Sequence, residues 1–193
     1  MDRKEMIRIA ATELFAEQGF QATPTAAVAK RAGVSEGVIF YHFSTKEGIL
    51  ISLFDEIVND FIAGVVQVLD EAPNGLEAVL GCVRLNSDMI QRRTLEMLVL
   101  VRDMPASFRD PGSPHRQKIT ENLERLLGLL SQAVATGQSD GTIRPCDPAK
   151  TAHLILGLMT GMSRQGLLGT QLPLDMDQEY MEFCRRALAA GQA

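Results

Sequence analysis

The feature that most constrains the fold is a pair of short helical patterns that meet at a glycine, between residues 24 and 43. Pro24 suits the first position of a helix, where a missing N–H is harmless, and Thr23 can cap that helix. Gly33 can adopt the left-handed conformation that ends the helix and turns the chain. Ser35 can cap the second helix. This spacing predicts a helix-turn-helix, whose second helix lies in the major groove of DNA.

Apolar spacing divides the second helix into an inner and an outer face. Ile39 and Phe43 are one turn apart, so both can point into a core. The residues around them face outwards, where they could meet base edges or phosphates, and Lys46 opens the next helix close to where a phosphate would lie. We predict that the DNA contacts are Thr23, Thr25, Ser35, Glu36, Gly37, Val38, Phe40, Tyr41, His42 and Lys46.

Shape alone does not establish DNA binding. Any small helical domain can contain an alanine-rich helix, a glycine stop and a capped second helix, and some helix-turn-helix proteins bind no nucleic acid. Charge gives no support, because residues 1–50 carry six Lys or Arg and six Asp or Glu, and the whole chain has a net charge of −5. The positive charge near the motif is a local edge formed by Lys30, Arg31 and Lys46.

Further residues extend the pattern across the first third of the chain. They are Gly19-Phe20, Thr23, Val28-Ala29, Ala32-Gly33-Val34-Ser35, Gly37, Ile39, Tyr41-His42-Phe43, Lys46-Glu47 and Leu50. This pattern closely resembles the tetracycline-repressor (TetR) family of one-component bacterial regulators. Two positions depart from it: Phe40 replaces the usual tyrosine and loses a hydroxyl, and Glu36 replaces a neutral or basic residue. A carboxylate at that position could accept from a cytosine amino group, but phosphate repels it.

The rest of the chain has helical patterns, with little strand-like alternation and 46% apolar residues. We predict an all-α fold of about nine helices. Residues 1–47 would form a three-helix DNA-binding domain, and residues 48–193 a larger effector-binding and dimerisation domain. The fourth helix starts near Lys46 and has no breaker before Pro73, so we expect it to belong to both halves. Residues 95–104 are apolar on nearly every side, which predicts a buried central helix.

Two amphipathic, methionine-containing helices are predicted near the end of the chain, over about 148–168 and 176–190. The apolar stripe of either could be core within one chain, but two consecutive helices of this kind favour a two-fold four-helix interface. The resemblance implies the same homodimer, bound to a near-palindromic operator in double-stranded DNA. The predicted interface residues are Ile155, Met159, Met162, Tyr180, Phe183, Cys184 and Ala187.

The resemblance also implies a small-molecule pocket in the larger domain, whose ligand moves the fourth helix and releases the DNA. Methionines and aliphatic residues suit an apolar effector, and Arg102 could pair with an acidic group, although core packing is the commoner role for each apolar residue. The predicted pocket residues are Met89, Met97, Leu98, Val101, Arg102, Phe108, Met159 and Met162. Repression is the usual mode of the family, so we expect a repressor.

Catalysis is not expected. His42, His115 and His153 are scattered, and the sequence has no glycine-framed serine, phosphate loop or histidine pair at metal-ligand spacing. We therefore predict no catalytic residue, no metal and no cofactor. A different class of function is a ligand-binding or interaction module of the same fold that has lost operator binding, which Glu36 and the neutral N-terminal charge favour.

The cysteine content and the hydropathy indicate the cellular compartment of the protein. Cys82, Cys146 and Cys184 are too far apart in sequence for a metal knuckle, and their odd number argues against a disulfide framework. We expect reduced thiols in a soluble cytoplasmic protein. A membrane-spanning helix would need roughly 20 apolar residues, and the longest apolar stretch falls far short of that.

Overall fold

The structure, a computed structural model, describes residues 2–104, 106–168 and 176–191. Over these ranges the chain forms nine α-helices, one short 3-10 helix at Ala106–Phe108 and an isolated bridge between Ile143 and Ala189. The all-α prediction is confirmed. The α-helices are α1 Arg3–Gln18, α2 Thr25–Ala32, α3 Glu36–Phe43, α4 Lys46–Glu71, α5 Gly75–Arg92, α6 Thr94–Arg102, α7 Pro114–Ser139, α8 Pro148–Leu167 and α9 Met176–Leu188. None of the helices in the described ranges is long and apolar enough to cross a membrane.

The helices group into two compact units. The first contains the residues up to Val58 together with Arg93–Gln117, and the second contains Asn59–Arg92 together with the residues from Lys118 onward. The first unit therefore holds α1, α2, α3, α6 and the first half of α4. The second holds α5, α8, α9, most of α7 and the rest of α4.

The core of the first unit is the inner face of α1 packed against the buried faces of the neighbouring helices. Its members are Ile7, Ala10, Ala11, Leu14, Phe15, Val28, Ala29, Ile39, Phe43, Ile49, Leu50, Leu53 and Val99. An eight-residue helix such as α3 is unstable by itself, so its conformation depends on this packing. The predicted inward direction of Ile39 and Phe43 is confirmed.

The turn between α2 and α3 has the predicted geometry. Gly33 is left-handed with φ of 67°, and the N–H of Val34 donates to the Ala29 carbonyl at 3.0 Å. A Cβ at Gly33 would have no other atom within 4 Å, so the backbone conformation alone demands glycine. Ser35 is the N-cap residue of α3, but its side chain forms no capping hydrogen bond.

The predicted cap of α2 is wrong. Pro24, not Thr23, is the N-cap residue, and no side chain caps this helix. Thr23 is fully buried, and its hydroxyl donates to the Gly19 carbonyl at 2.7 Å. The local sequence could not show this, because a threonine before Pro24 suits both a cap and a buried loop anchor.

An ion-pair cluster joins three helices of the first unit. Glu56 of α4 pairs with Arg8 of α1 and, at 2.7 Å, with Arg93 just before α6. Arg93 also contacts Glu96 of α6 at 3.4 Å. Because these side chains are only partly exposed, their attraction is screened less than that of a surface pair.

The prediction of a helix buried on nearly every side is also wrong. In α6 only Val99 and Leu100 are buried, and Leu95 is 47% exposed. Apolar composition shows that a helix can be buried, but the number of neighbouring helices decides how much of its surface is covered. The second unit has its own core, which includes Val79, Leu130, Met159 and Tyr180.

Gly33→Val should lower the free energy of unfolding by about 1–2 kcal/mol, because valine disfavours the left-handed conformation. The measurement is urea denaturation followed by circular dichroism. Gly128→Val is the matched control, because Gly128 lies within α7, has open space where a Cβ would lie and does not have a positive φ. A Gly33→Val protein as stable as the control would show that the turn does not constrain the fold.

Candidate nucleic-acid interface

The outer face of α3 consists of exposed side chains that include two large aromatic rings. Tyr41 is 84% exposed, and Phe40 is also exposed. The rings of Tyr41 and His42 meet edge to face with centroids 5.1 Å apart. Exposed aromatic rings in adjacent positions on so short a helix are unusual for a surface that contacts only water. Glu36 and Gly37 share the exposed surface, whereas Val38 is partly buried against the first-unit core.

The structure brings together two of the predicted contacts at the start of this face. The Thr25 hydroxyl, in the first turn of α2, donates to Glu36 Oε2 at 2.8 Å. This bond links the N-terminal ends of α2 and α3. It also occupies one carboxylate oxygen of Glu36, while the negative charge stays at the exposed N-terminus of α3, where the helix dipole favours it.

At the predicted basic edge, the charge of Arg31 is neutralised by carboxylates. Arg31 pairs with Glu13 at 2.9 Å and Glu17 at 3.4 Å, both on α1. Its hydrogen bond to Glu13, and to a smaller extent that to Glu17, raises the pKa of the Arg31 guanidinium. Lys30 is exposed and forms no ion pair or hydrogen bond within the described part of the chain. Of these two cations, Lys30 is therefore the one left to meet a phosphate.

Lys46 has internal partners that the sequence did not reveal. Its ammonium donates to the carbonyl oxygens of Phe20 at 2.8 Å, Thr23 at 3.0 Å and Gln21 at 3.4 Å. It also lies 4.4 Å from the centroid of the Phe20 ring, within the range of a cation–π contact. Lys46 thus holds the loop between α1 and α2, and its phosphate contact remains a prediction.

Sequence reasoning missed a cation beside α3. Lys4, in the first turn of α1, is exposed, and its ammonium lies 5.9 Å from the centroid of the Phe43 ring. This places positive charge near the C-terminal end of α3. The adjacent basic residues Arg3 and Lys4 could have indicated this position in the sequence, because basic residues flanking a helix-turn-helix often reach the DNA.

The residues predicted for the effector pocket divide between the two units. Arg102 donates to the Phe15 and Ala16 carbonyls at the end of α1, the latter at 3.1 Å, and contacts Asp103 at 3.0 Å. Phe108 is buried edge-on against Phe54, with ring centroids 4.8 Å apart. The first unit holds Met97, Leu98, Val101, Arg102 and Phe108, and the second holds Met89, Met159 and Met162.

Most residues predicted for the dimer interface lie inside the second unit. Ile155, Met159, Tyr180 and Cys184 are buried in its core, Met162 and Ala187 pack against that core, and Phe183 is 53% exposed. The opposite face of α8 is open to solvent and contains an apolar patch between the polar residues His153 and Arg164. It carries Leu154, which is 69% exposed, Leu158, which is 38% exposed, and two glycines, Gly157 and Gly161, with open space beside them.

The comparisons with known proteins agree with this geometry. A family model described as "Bacterial regulatory proteins, tetR family" matches residues 7–53, which span α1 to the start of α4. The chain is 30% identical over 167 residues to the HTH-type transcriptional regulator YhgD of Bacillus subtilis (strain 168), covering 82% of this chain and 81% of that protein. It is 29% identical over 161 residues to the fatty acid metabolism regulator protein of the same organism, covering 83% and 75%.

A solved structure shares the fold over nearly the whole chain. The crystal structure of the transcriptional regulator FadR from Bacillus subtilis in complex with stearoyl-CoA aligns with a TM-score of 0.78 and 25% identity. The alignment covers 95% of this chain and 98% of FadR. The fold of both units, not only of the helix-turn-helix, is therefore that of a solved regulator.

Tyr41→Ala should weaken binding to the preferred DNA sequence by about 10- to 100-fold, because a base or phosphate contact contributes about 1–3 kcal/mol. The measurement is fluorescence anisotropy on a duplex selected from a random library. The thermal unfolding midpoint should not change, because Tyr41 is highly exposed. Tyr41→Phe removes only the hydroxyl and so separates its contribution to binding from that of the ring. Unchanged affinity in Tyr41→Ala would remove Tyr41 from the interface.

Proposed function

We propose that this chain, which belongs to the tetR family of bacterial regulatory proteins, is a cytoplasmic repressor released from its operator by an acyl-coenzyme A thioester. It is a transcriptional regulator rather than an enzyme, as are the relatives named above. We propose further that it binds a near-palindromic operator as a homodimer. Operator binding is supported above all by the exposed aromatic face of α3, whose opposite face is buried.

Operator binding depends on few charges in this chain. Lys4 and Lys30 are exposed cations without an ion pair among the described residues, while Arg31 and Lys46 have partners within the protein. Backbone N–H groups, helix N-termini and aromatic or hydroxyl contacts can supply much of the remaining phosphate and base binding. A dimer doubles every contact, and its two recognition helices would meet half-sites about one DNA turn apart.

The open apolar face of α8 supports the dimer. Leu154 and Leu158 lie one turn apart, and Gly157 and Gly161 leave room for close approach of another helix. On α9, Phe183 is a further exposed apolar residue. A two-fold axis pairs each such face with its own copy, which buries these side chains without a second kind of surface.

The double variant Leu154→Glu/Leu158→Glu should be monomeric in size-exclusion chromatography with light scattering, because four carboxylates would meet in the proposed interface. Its affinity for the full operator should fall by at least tenfold, since each half-site is then bound separately. Leu123→Glu is the control, because Leu123 is an exposed leucine on α7 in the same unit. A dimeric double variant would exclude this face.

The effector class is inferred from relatives and from the apolar core of the second unit. One relative is a fatty acid metabolism regulator protein, and the aligned FadR structure contains stearoyl-CoA. We propose that Met89, Met159 and Met162 of the second unit contact the acyl chain, because methionine side chains adapt their shape. The ligand must bind one conformation better by about 1–3 kcal/mol to act as a switch.

Stearoyl-CoA should raise the operator dissociation constant by about 5- to 150-fold, which is the range of a typical coupling free energy. The measurement is anisotropy of the selected operator at constant ionic strength. Acetyl-CoA is the matched control, because it has the same phosphates and thioester but a two-carbon chain. Equal effects of both compounds, or no effect of either, would contradict an acyl-chain effector while leaving operator binding intact.

A second function is supported by the pairing of Arg31 with Glu13 and Glu17 and by the carboxylate of Glu36 on α3. Both features reduce the attraction of DNA phosphates. They fit a ligand-binding or interaction module of the same fold. Such a module would show no preference for any duplex sequence at low salt.

A further inference from the structure

A cavity of about 520 Å³ lies within the first unit, where the α1–α2 loop, the start of α4 and the segment after α6 meet. This volume is within the range of small-ligand sites. Its wall includes five charged side chains and one aromatic ring, which determine what the cavity can bind. They are Phe20, Lys46, Glu47, Arg102, Asp103 and Arg109.

The two carboxylates of the cavity are already engaged by neighbouring donors. Glu47 Oε1 accepts from the Ser107 N–H at 3.0 Å and from its hydroxyl at 2.9 Å. Asp103 Oδ2 accepts from Arg102 Nε at 3.0 Å and from the Phe20 N–H at 3.4 Å. Arg102 therefore already has an anionic partner.

The other two cations of the cavity have no carboxylate partner among the described residues. Lys46 donates only to neutral carbonyl oxygens. Arg109 is exposed and forms no hydrogen bond or ion pair with any described residue. Arg102 and Asp103 pair with each other, and the carboxylate of Glu47 is bonded to the neutral donors of Ser107. Three cations and two carboxylates thus share one concave surface, which leaves it with a net positive charge in a chain whose net charge is −5.

We propose that this cavity binds the phosphate group of a small anionic ligand through Arg109 and Lys46, and that the ligand weakens DNA binding through Lys46. Phosphate fits because a guanidinium can donate two parallel hydrogen bonds to it, and an ammonium adds a point charge. The phosphate could come from a small phosphate metabolite or from free coenzyme A. Only the effect on DNA rests on the function proposed above.

The route from the cavity to the DNA-reading helices is the loop held by Lys46. The Lys46 ammonium binds the carbonyls of Phe20, Gln21 and Thr23, directly before the start of α2. A phosphate oxygen is a stronger acceptor than a neutral carbonyl, since charge-assisted hydrogen bonds are about twice as strong. A bound phosphate therefore draws the ammonium away and frees this loop, without contacting α3.

Binding is tested first, by isothermal titration calorimetry of the full chain with inorganic pyrophosphate and with free coenzyme A at constant ionic strength. Arg109→Gln should weaken binding of both probes at least tenfold, because it removes a charge-assisted contact. Its fold should be unaffected, since Arg109 has no partner to lose among the described residues. Arg125→Gln is the matched control, because Arg125 is an exposed arginine of α7 in the second unit.

The possible results distinguish binding at the cavity from non-specific binding, and coenzyme A from a free phosphate compound as the source of the phosphate. No binding of either probe to wild type, or equal weakening in Arg109→Gln and Arg125→Gln, would overturn the proposal. Coenzyme A binding at least tenfold more tightly than pyrophosphate would support coenzyme A as the source of the phosphate. Similar affinities would support a free phosphate compound at the same site.

The effect on DNA is tested with the selected operator. Pyrophosphate should raise the operator dissociation constant of wild type at fixed ionic strength, and Arg109→Gln should bind the operator normally but lose most of this response. An unchanged response in Arg109→Gln would overturn the route through the cavity. If no duplex is bound specifically, the operator proposal fails, whereas calorimetry still decides the anion site.

Discussion

The burial of Ile39 and Phe43 is the constraint on which the DNA-reading surface depends. A helix of eight residues has too few internal hydrogen bonds to persist alone, so packing onto the core of the first unit fixes both its existence and its rotation. Once those two side chains point inwards, Tyr41 must point outwards. The left-handed Gly33 then sets the direction from which α3 leaves α2.

Patterns within a few residues of one another were sufficient to predict much of this arrangement. Helical spacing identified the inner face of α3, and the glycine at position 33 identified the turn. Contacts between distant positions could not be predicted in this way. Lys46 finds its carbonyl partners 23 to 26 positions away, and Arg102 finds the Phe15 carbonyl 87 positions away. Periodicity alone likewise could not show which apolar face of α8 would become core.

Little unpaired positive charge lies near the helix-turn-helix, and this limits how the chain can bind DNA. Arg31 is neutralised by α1, Lys46 serves the α1–α2 loop, and Glu36 adds a negative charge at the start of α3. Lys4 and Lys30 remain for phosphate contacts near the motif. A protein with few phosphate contacts binds DNA with a shallow salt dependence, so specific contacts from α3 must supply a larger share of the affinity.

The most direct measurement is selection of bound duplexes from a random library by the purified protein at low salt, followed by a salt titration on the preferred sequence. We expect a near-palindromic consensus with half-sites about one helical turn apart, and a shallow salt dependence because few cations meet phosphate. Recovery of duplexes with no common consensus, all bound with similar affinity and all weakened alike as salt rises, would contradict operator recognition by α3.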